Sequence, residues 1–196
     1  MRISILLLLA IAIYGTLPRW DINVDPEDWE YITSEENLFE DIPIPATVTF
    51  EGYTTSAAEI RLRGEGSREP LKKSIRVNLE SNLPFDEYDQ LKKINLISMY
   101  NDSTYTHDWL AHDALKRMDY PYTRIWHVQV FLNGDFYGIF LMGDRVDKDY
   151  LRRFGFWDDG NLYKADIPGS DLSLAEANPL DYYEKKTNES APSTDL

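Results

Sequence analysis

The residues best placed to do chemistry lie in RLRGEGSREPLKKSIRV, residues 61–77. A Gly-x-Gly-Ser turn sits there among arginines and lysines, between two strand-like runs. Gly64 and Gly66 can adopt conformations that aim successive backbone N–H groups at one point, and a phosphate fits such a nest. Ser67 adds a hydroxyl, and the guanidinium of Arg68 can fork onto phosphate oxygens. The turn is not a phosphate loop of the Gly-Lys-Ser/Thr type, because no helix opens after it. It is not a dinucleotide fingerprint either, because it leads into a strand.

The run after the turn adds a cation of the right kind. Strand side chains alternate, so Lys73 is expected to share a face with Ile75, Val77 and Leu79, while Lys72, Ser74, Arg76 and Asn78 point the other way. A lysine on an apolar face is costly unless a carboxylate or an anionic ligand pairs with it. Lys72, on the outer face, needs no such partner. A glycine turn, a serine and a strand with an inward lysine form the arrangement with which a kinase-type N-lobe covers ATP. The same pattern also fits a two-glycine hairpin with solvated cations and Lys73 paired to a structural aspartate.

Elements that would position this turn can be read on both sides of it. ATVTF and AAEIRLR read as strands, the second with Ala58, Ile60 and Leu62 on one face and Glu59, Arg61 and Arg63 on the other. KKINLIS is another strand. NDSTYTHDWLAHDALKRM carries Leu110, Ala111, Ala114, Leu115 and Met118 at helical spacing, with Asp102 or Ser103 as N-cap and a stop before Tyr120-Pro121. WHVQVFLNGDFYGIFLMGD is a hairpin on Asn133-Gly134, a dipeptide suited to a type I′ turn, and its second strand, apolar on both faces, should be central. A short helix in VDKDYLRRFGF and a strand at NLYKAD follow. The expected fold class is α+β: a mixed, mostly antiparallel sheet with one main helix. Residues 16–45 read as an irregular acidic lead-in, and 168–196 as a polar tail.

Composition narrows the partners. The 196 residues carry a net charge of -14, which argues against a nucleic-acid surface, since phosphate backbones need a broad excess of Lys and Arg. Residues 1–15, MRISILLLLAIAIYG, have one positive charge, an apolar run and small residues at Ala10, Ala12 and Gly15. They read as a secretory signal, leaving no membrane span in the mature chain. Cysteine is absent, so no disulfide framework or thiol nucleophile is available. His107 and His112 are five apart, off the spacing of a helical metal pair, and no metal site is expected of them.

Taken in order, RLRGEGSR with KKSIRV, INLISMYND with LAHDAL, VFLNGDFYGIFLM, DRVDKDYLRR and GNLYKAD resemble the CotH family, atypical secreted kinases of the spore-coat-protein-H type. The resemblance runs from about residue 45 to residue 166, so residues 46–167 are expected to be the kinase-like domain, with an N-lobe-like sheet. It implies ATP- and Mg²⁺- or Mn²⁺-dependent phosphorylation of Ser/Thr on secreted or surface proteins. By the same resemblance Arg63, Gly64, Ser67 and Arg68 lie near the nucleotide and Lys73 reaches its phosphates. The lysine's carboxylate is expected to be Asp113, on the main helix, or Asp144, where the family mostly has Glu. His107 stands where the family's helix typically has Arg. The family's metal-binding aspartates lie downstream of GNLYKAD, so the catalytic residues are unassigned and the chain reads as the N-terminal portion of such a domain. A non-catalytic secreted or cell-surface binding protein on the same scaffold is the alternative.

Overall fold

A computed structural model of the chain describes residues 17–165 and 183–188. The signal-like residues 1–15 lie outside them. The chain divides into two compact units, Met1–Asp144 and Arg145–Leu196.

Among the described residues the first unit holds seven strands: β1 (Arg19–Asn23), β2 (Ile44–Phe50), β3 (Tyr53–Leu62), β4 (Ile75–Leu79), β5 (Lys93–Ile97), β6 (Ile125–Leu132) and β7 (Asp135–Asp144). They close into a barrel in the order β1-β2-β3-β4-β5-β7-β6. Every pairing is antiparallel except that of β1 with β6, which closes the ring. The α+β character and the mostly antiparallel pairing agree with the sequence reading. The sheet closes into a barrel rather than the open sheet of a kinase N-lobe that the resemblance implied, because β1 supplies the strand that joins the two free edges.

Alternation fills the barrel. Ile44, Val48 and Phe50 of β2, Ile60 and Leu62 of β3, Ile75 and Val77 of β4, Ile94 and Leu96 of β5, Val128 and Val130 of β6, and Phe140 and Met142 of β7 are all buried. A small barrel is packed solid in this way, so a ligand must bind outside its wall or at its ends. The Asn133-Gly134 turn has positive φ at both residues (49° and 89°), as a type I′ turn requires. β7 pairs with β5 on one side and β6 on the other, the central position its two apolar faces implied.

The lead-in is the main correction. RWDIN alternates, burying Trp20 and Ile22 while Arg19 and Asn23 stay exposed. Helix α1 (Pro26–Thr33) follows at once, with Asp25 as N-cap accepting from the Glu27 amide at 2.8 Å and Pro26 opening the first turn. The acidic, proline-marked composition that reads as irregular is here a strand followed by a helix N-terminus.

Helix α2 (His107–Arg117) starts later than an N-cap at Asp102 or Ser103 would place it and buries no residue. Leu110 and Met118 are 53% and 58% exposed. Asp102 does serve the helix start, but from five residues upstream: its Oδ2 accepts the His107 amide at 2.9 Å, and Thr106 occupies the N-cap.

In the second unit, α3 (Lys148–Arg153) is capped by Asp147, whose carboxylate accepts from the Asp149 amide. β8 (Tyr163–Ala165) pairs antiparallel with β9 (Tyr183–Lys185). A strand therefore occurs within the stretch expected to be a polar tail. Among the described residues no helix is long and apolar enough to cross a membrane.

Candidate functional site

A cleft of about 270 Å³ opens beside the glycine turn. The turn contributes Arg63 and Ser67, and Ser74 follows on the limb leading to β4. Ile97 to Asp102 form the opposite wall, and His107 and Asp108 bring the start of α2. Two residues between β5 and α2, Met99 and Tyr105, hold left-handed backbone conformations (φ 50° and 58°), a strained geometry for non-glycine residues. His127 fixes this loop through Nε2, 2.6 Å from the Tyr105 carbonyl oxygen.

The turn is shaped by its glycines and its serine. Gly64 lies at φ 77°. Ser67 Oγ donates to the Arg63 carbonyl at 2.9 Å, where a Cβ on Gly64 would collide with it. A Cβ on Gly66 would come within 3.2 Å of the Tyr100 hydroxyl. Among the described residues the amides of Gly64, Glu65, Gly66 and Ser67 meet no protein acceptor, as an anion-receiving turn requires. Gly64→Ala is therefore expected to cost about 1–3 kcal/mol through left-handed strain and loss of the Ser67 bond. Gly66→Ala, whose φ is not positive, is expected to cost less than about 1 kcal/mol. Urea unfolding of the two variants side by side measures the difference.

The floor of the cleft is polar and buried. Ser74 Oγ accepts the Ser98 amide at 3.0 Å and lies 3.1 Å from Ser98 Oγ. At the helix end, Asp102 Oδ1 accepts from the Thr104 hydroxyl at 2.6 Å and lies 2.9 Å from His107 Nδ1. The Thr104 hydroxyl, followed by the amides of His107 and Thr104 and by the His107 ring, holds this carboxyl well below the usual range against the opposing effect of desolvation.

The other expected site residues divide. Lys73 is buried, as expected, and its ammonium donates to the carbonyls of Arg68 and Glu69, just after the turn. Desolvation lowers its pKa, partly offset by Glu69. Neither expected carboxylate pairs with it. Asp113 is bound to Arg117 at 2.6 Å, an i, i+4 pair on α2. Asp144 takes the Arg124 amide at 3.0 Å and its Nε at 3.1 Å. Backbone carbonyls do the work assigned to a carboxylate because the limb curls back under its own turn.

Arg68 is not poised to fork onto a phosphate. It is 8% exposed, and its guanidinium donates to the carbonyls of Gly64, Leu38 and Glu40 and to the Asp41 carboxylate. Lys72 differs from expectation too. β4 starts at Ile75, so the alternation does not extend back to residue 72. Its amine donates to the Ile139 carbonyl at 2.7 Å and lies 4.7 Å and 4.8 Å from the ring centroids of Tyr105 and Phe140. Desolvation lowers its pKa to about 8. That value is below the 10.5 of the free side chain, so the protonated amine costs stability below about pH 8, and the cost is relieved as pH rises toward 10.5.

Cleft residues missed by the sequence reading are Ser74, Ser98, Tyr100 and Asp108. Their signal was positional only: they flank β4, β5 and α2 where these end or begin on one side of the turn. Among the described residues no group of three His, Cys, Asp or Glu could hold a metal ion. The turn thus offers amides to an anion beside a cleft that carries Arg63 on one wall and the Asp102 and Asp108 carboxylates on the other, while no metal-binding group of three occurs among the described residues. A search of curated proteins finds no match. A family model described as CotH kinase protein matches residues 60–196, which include the turn, the cleft and the strands that carry them; the chain belongs to this family.

Proposed function

We propose that the chain is a CotH-type protein kinase that transfers the γ-phosphoryl group of ATP to Ser/Thr hydroxyls of exported proteins. The signal-like N-terminus supports export, and the negative surface turns away nucleic acid. One observation supports the nucleotide reading: the turn whose amides from Gly64 to Ser67 meet no protein acceptor among the described residues sets Arg63 and Ser67 on the wall of one cleft, and the Lys73 ammonium lies on the carbonyls just after that turn. Kinases of this general kind work by positioning phosphates and neutralising the charge that develops on them, so a turn of this construction is the part a nucleotide site needs first. The divalent ion, Mg²⁺ or Mn²⁺, arrives with the nucleotide in this reading. Lys73 reaches the phosphates by leaving the Arg68 and Glu69 carbonyls, whereas Lys72 stays on the Ile139 carbonyl.

A thermal-shift titration with ATP and Mg²⁺ or Mn²⁺ tests this. Arg63→Ala and Lys73→Ala are expected to lose protection by the nucleotide, each removing a charge-assisted phosphate contact worth about tenfold or more in affinity. Lys72→Ala is expected to keep it. Equal protection of all three variants, or none in the unaltered chain, overturns the reading.

A further inference from the structure

Both limbs of the glycine turn are held by residues that precede the family-matched part of the chain or pack against such residues. On the first limb, Arg68 Nε donates to the Gly64 carbonyl at 2.5 Å, Nη1 to the Glu40 carbonyl at 2.9 Å, and Nη2 to Asp41 Oδ1 at 2.5 Å. Asp41 also pairs with Arg61 on β3. Burial pushes the Asp41 carboxyl up, but Arg68 and Arg61 together outweigh it and hold the group below the usual carboxylate range. On the second limb, the Tyr137 hydroxyl accepts the Lys73 amide at 2.7 Å and donates to the Leu71 carbonyl at 3.0 Å. The Tyr137 ring stacks on Phe140, with centroids 5.6 Å apart, and meets Trp29 of α1 edge-on at 6.1 Å.

Residues 64–72 include no regular strand or helix of their own. The bonds inside the turn, from Ser67 Oγ to the Arg63 carbonyl and from the Arg68 amide to the Glu65 carbonyl, do not tie it to the barrel, and fixing it there only on binding would cost conformational entropy. Fixing it beforehand removes that cost. A buried guanidinium sharing four acceptors is suited to this, because its planar fork loses little freedom per bond formed.

We infer that Asp41, acting through Arg68, is a positioning residue for the nucleotide turn, so that the segment from Trp29 to Asp41 sets how well the turn receives phosphate. This rests on the nucleotide reading above for its functional half only; the ordering of the turn stands separately. The contact is specific in geometry, since one carboxylate joins β3 through Arg61 to the turn through Arg68.

The test uses the full chain with Asp41→Asn and Asp41→Glu, read by hydrogen exchange of the bonded amides that close the turn, those of Arg63, Arg68 and Ser74, and by titration with ATP and Mg²⁺. Asp41→Asn is expected to speed exchange in the turn and weaken ATP binding, each by about three- to fivefold, because it removes the charge shared by Arg68 and Arg61 while Arg68 keeps its backbone acceptors. Exchange in β6 and β7 should not change, and Asp41→Glu should recover most of both effects. Unchanged turn exchange in Asp41→Asn overturns the inference, as does an equal rise throughout the barrel, which marks a general loss of stability. Faster turn exchange with unaltered ATP affinity overturns the positioning role. If the unaltered chain binds no ATP, the nucleotide reading falls, while turn exchange still decides whether Asp41 orders the turn.

Discussion

Trp20→Ala is expected to lower stability by about 3–5 kcal/mol, among the largest effects of any single change in the first unit. Trp20 is fully buried, stacked on Phe50 with ring centroids 4.6 Å apart, and its indole N–H lies 3.2 Å from Met142 Sδ. It stands on the strand that closes the barrel, paired with β2 on one side and β6 on the other. Removing its ring leaves a cavity where three strands meet, and the packed interior can relax only in part. Domains of this size are stable by about 5–15 kcal/mol, so the change removes a large share of the total. At about 2–4 °C per kcal/mol, the melting temperature should fall by roughly 6–20 °C. Trp157→Ala is the control: that side chain is 83% exposed, and its loss should stay within about 0.5 kcal/mol. A Trp20→Ala variant melting within a degree or two of the unaltered chain would show that β1 does not close the barrel.

That closure is what the sequence hid, and the reason is local. β1 is five residues long, and only Trp20 and Ile22 face inward; between and around them stand Arg19, Asp21 and Asn23. A two-residue apolar stripe among charges gives little periodicity, and the Pro26 that follows looks like a loop marker until its place as the first residue of α1 is seen. Long, well-patterned segments were legible by contrast. Ala58, Ile60 and Leu62 face inward together, and Asn133-Gly134 makes the expected turn, because pattern and turn chemistry are properties of the segment itself.

The candidate site was legible only where backbone geometry determines it. Gly64 at positive φ and Ser67 bonding within the turn follow from short-range chemistry, whereas Lys73 is buried as read but on a limb where the strand alternation used to place it does not apply. The partners did not. Arg68 reaches residues 38–41, Lys72 reaches Ile139, and Tyr105 meets His127, all across large gaps in sequence that only the closed barrel brings together. The alternation that placed Lys72 on an outer face assumed that β4 began before Ile75. The limb is instead held by Tyr137, and strand rules do not extend to it.

The two carboxylates that the sequence treats alike should separate sharply on mutation. Asp144→Ala is expected to cost on the order of 3 kcal/mol, because it leaves a partly buried guanidinium without its buried counter-charge and the Arg124 amide without its acceptor. The Asp144 side chain is 5% exposed; it binds the Arg124 amide and Nε, and its backbone carbonyl accepts from Asn95. Arg124 keeps a second carboxylate in Asp89, which is more exposed and so offsets only part of the loss. Asp144→Asn retains an acceptor for the Arg124 amide and should cost less than the alanine change, which isolates the charge from the hydrogen bond. Asp113→Ala removes a solvent-exposed i, i+4 pair with Arg117 and should cost no more than about 0.5 kcal/mol. Urea unfolding of the three variants measures the order. If Asp144 served Lys73, as the resemblance implies, Asp144→Ala and Arg124→Ala would act independently. A double-mutant cycle between them should instead show coupling of about 1 kcal/mol or more, because the two groups form one buried pair at the end of β7.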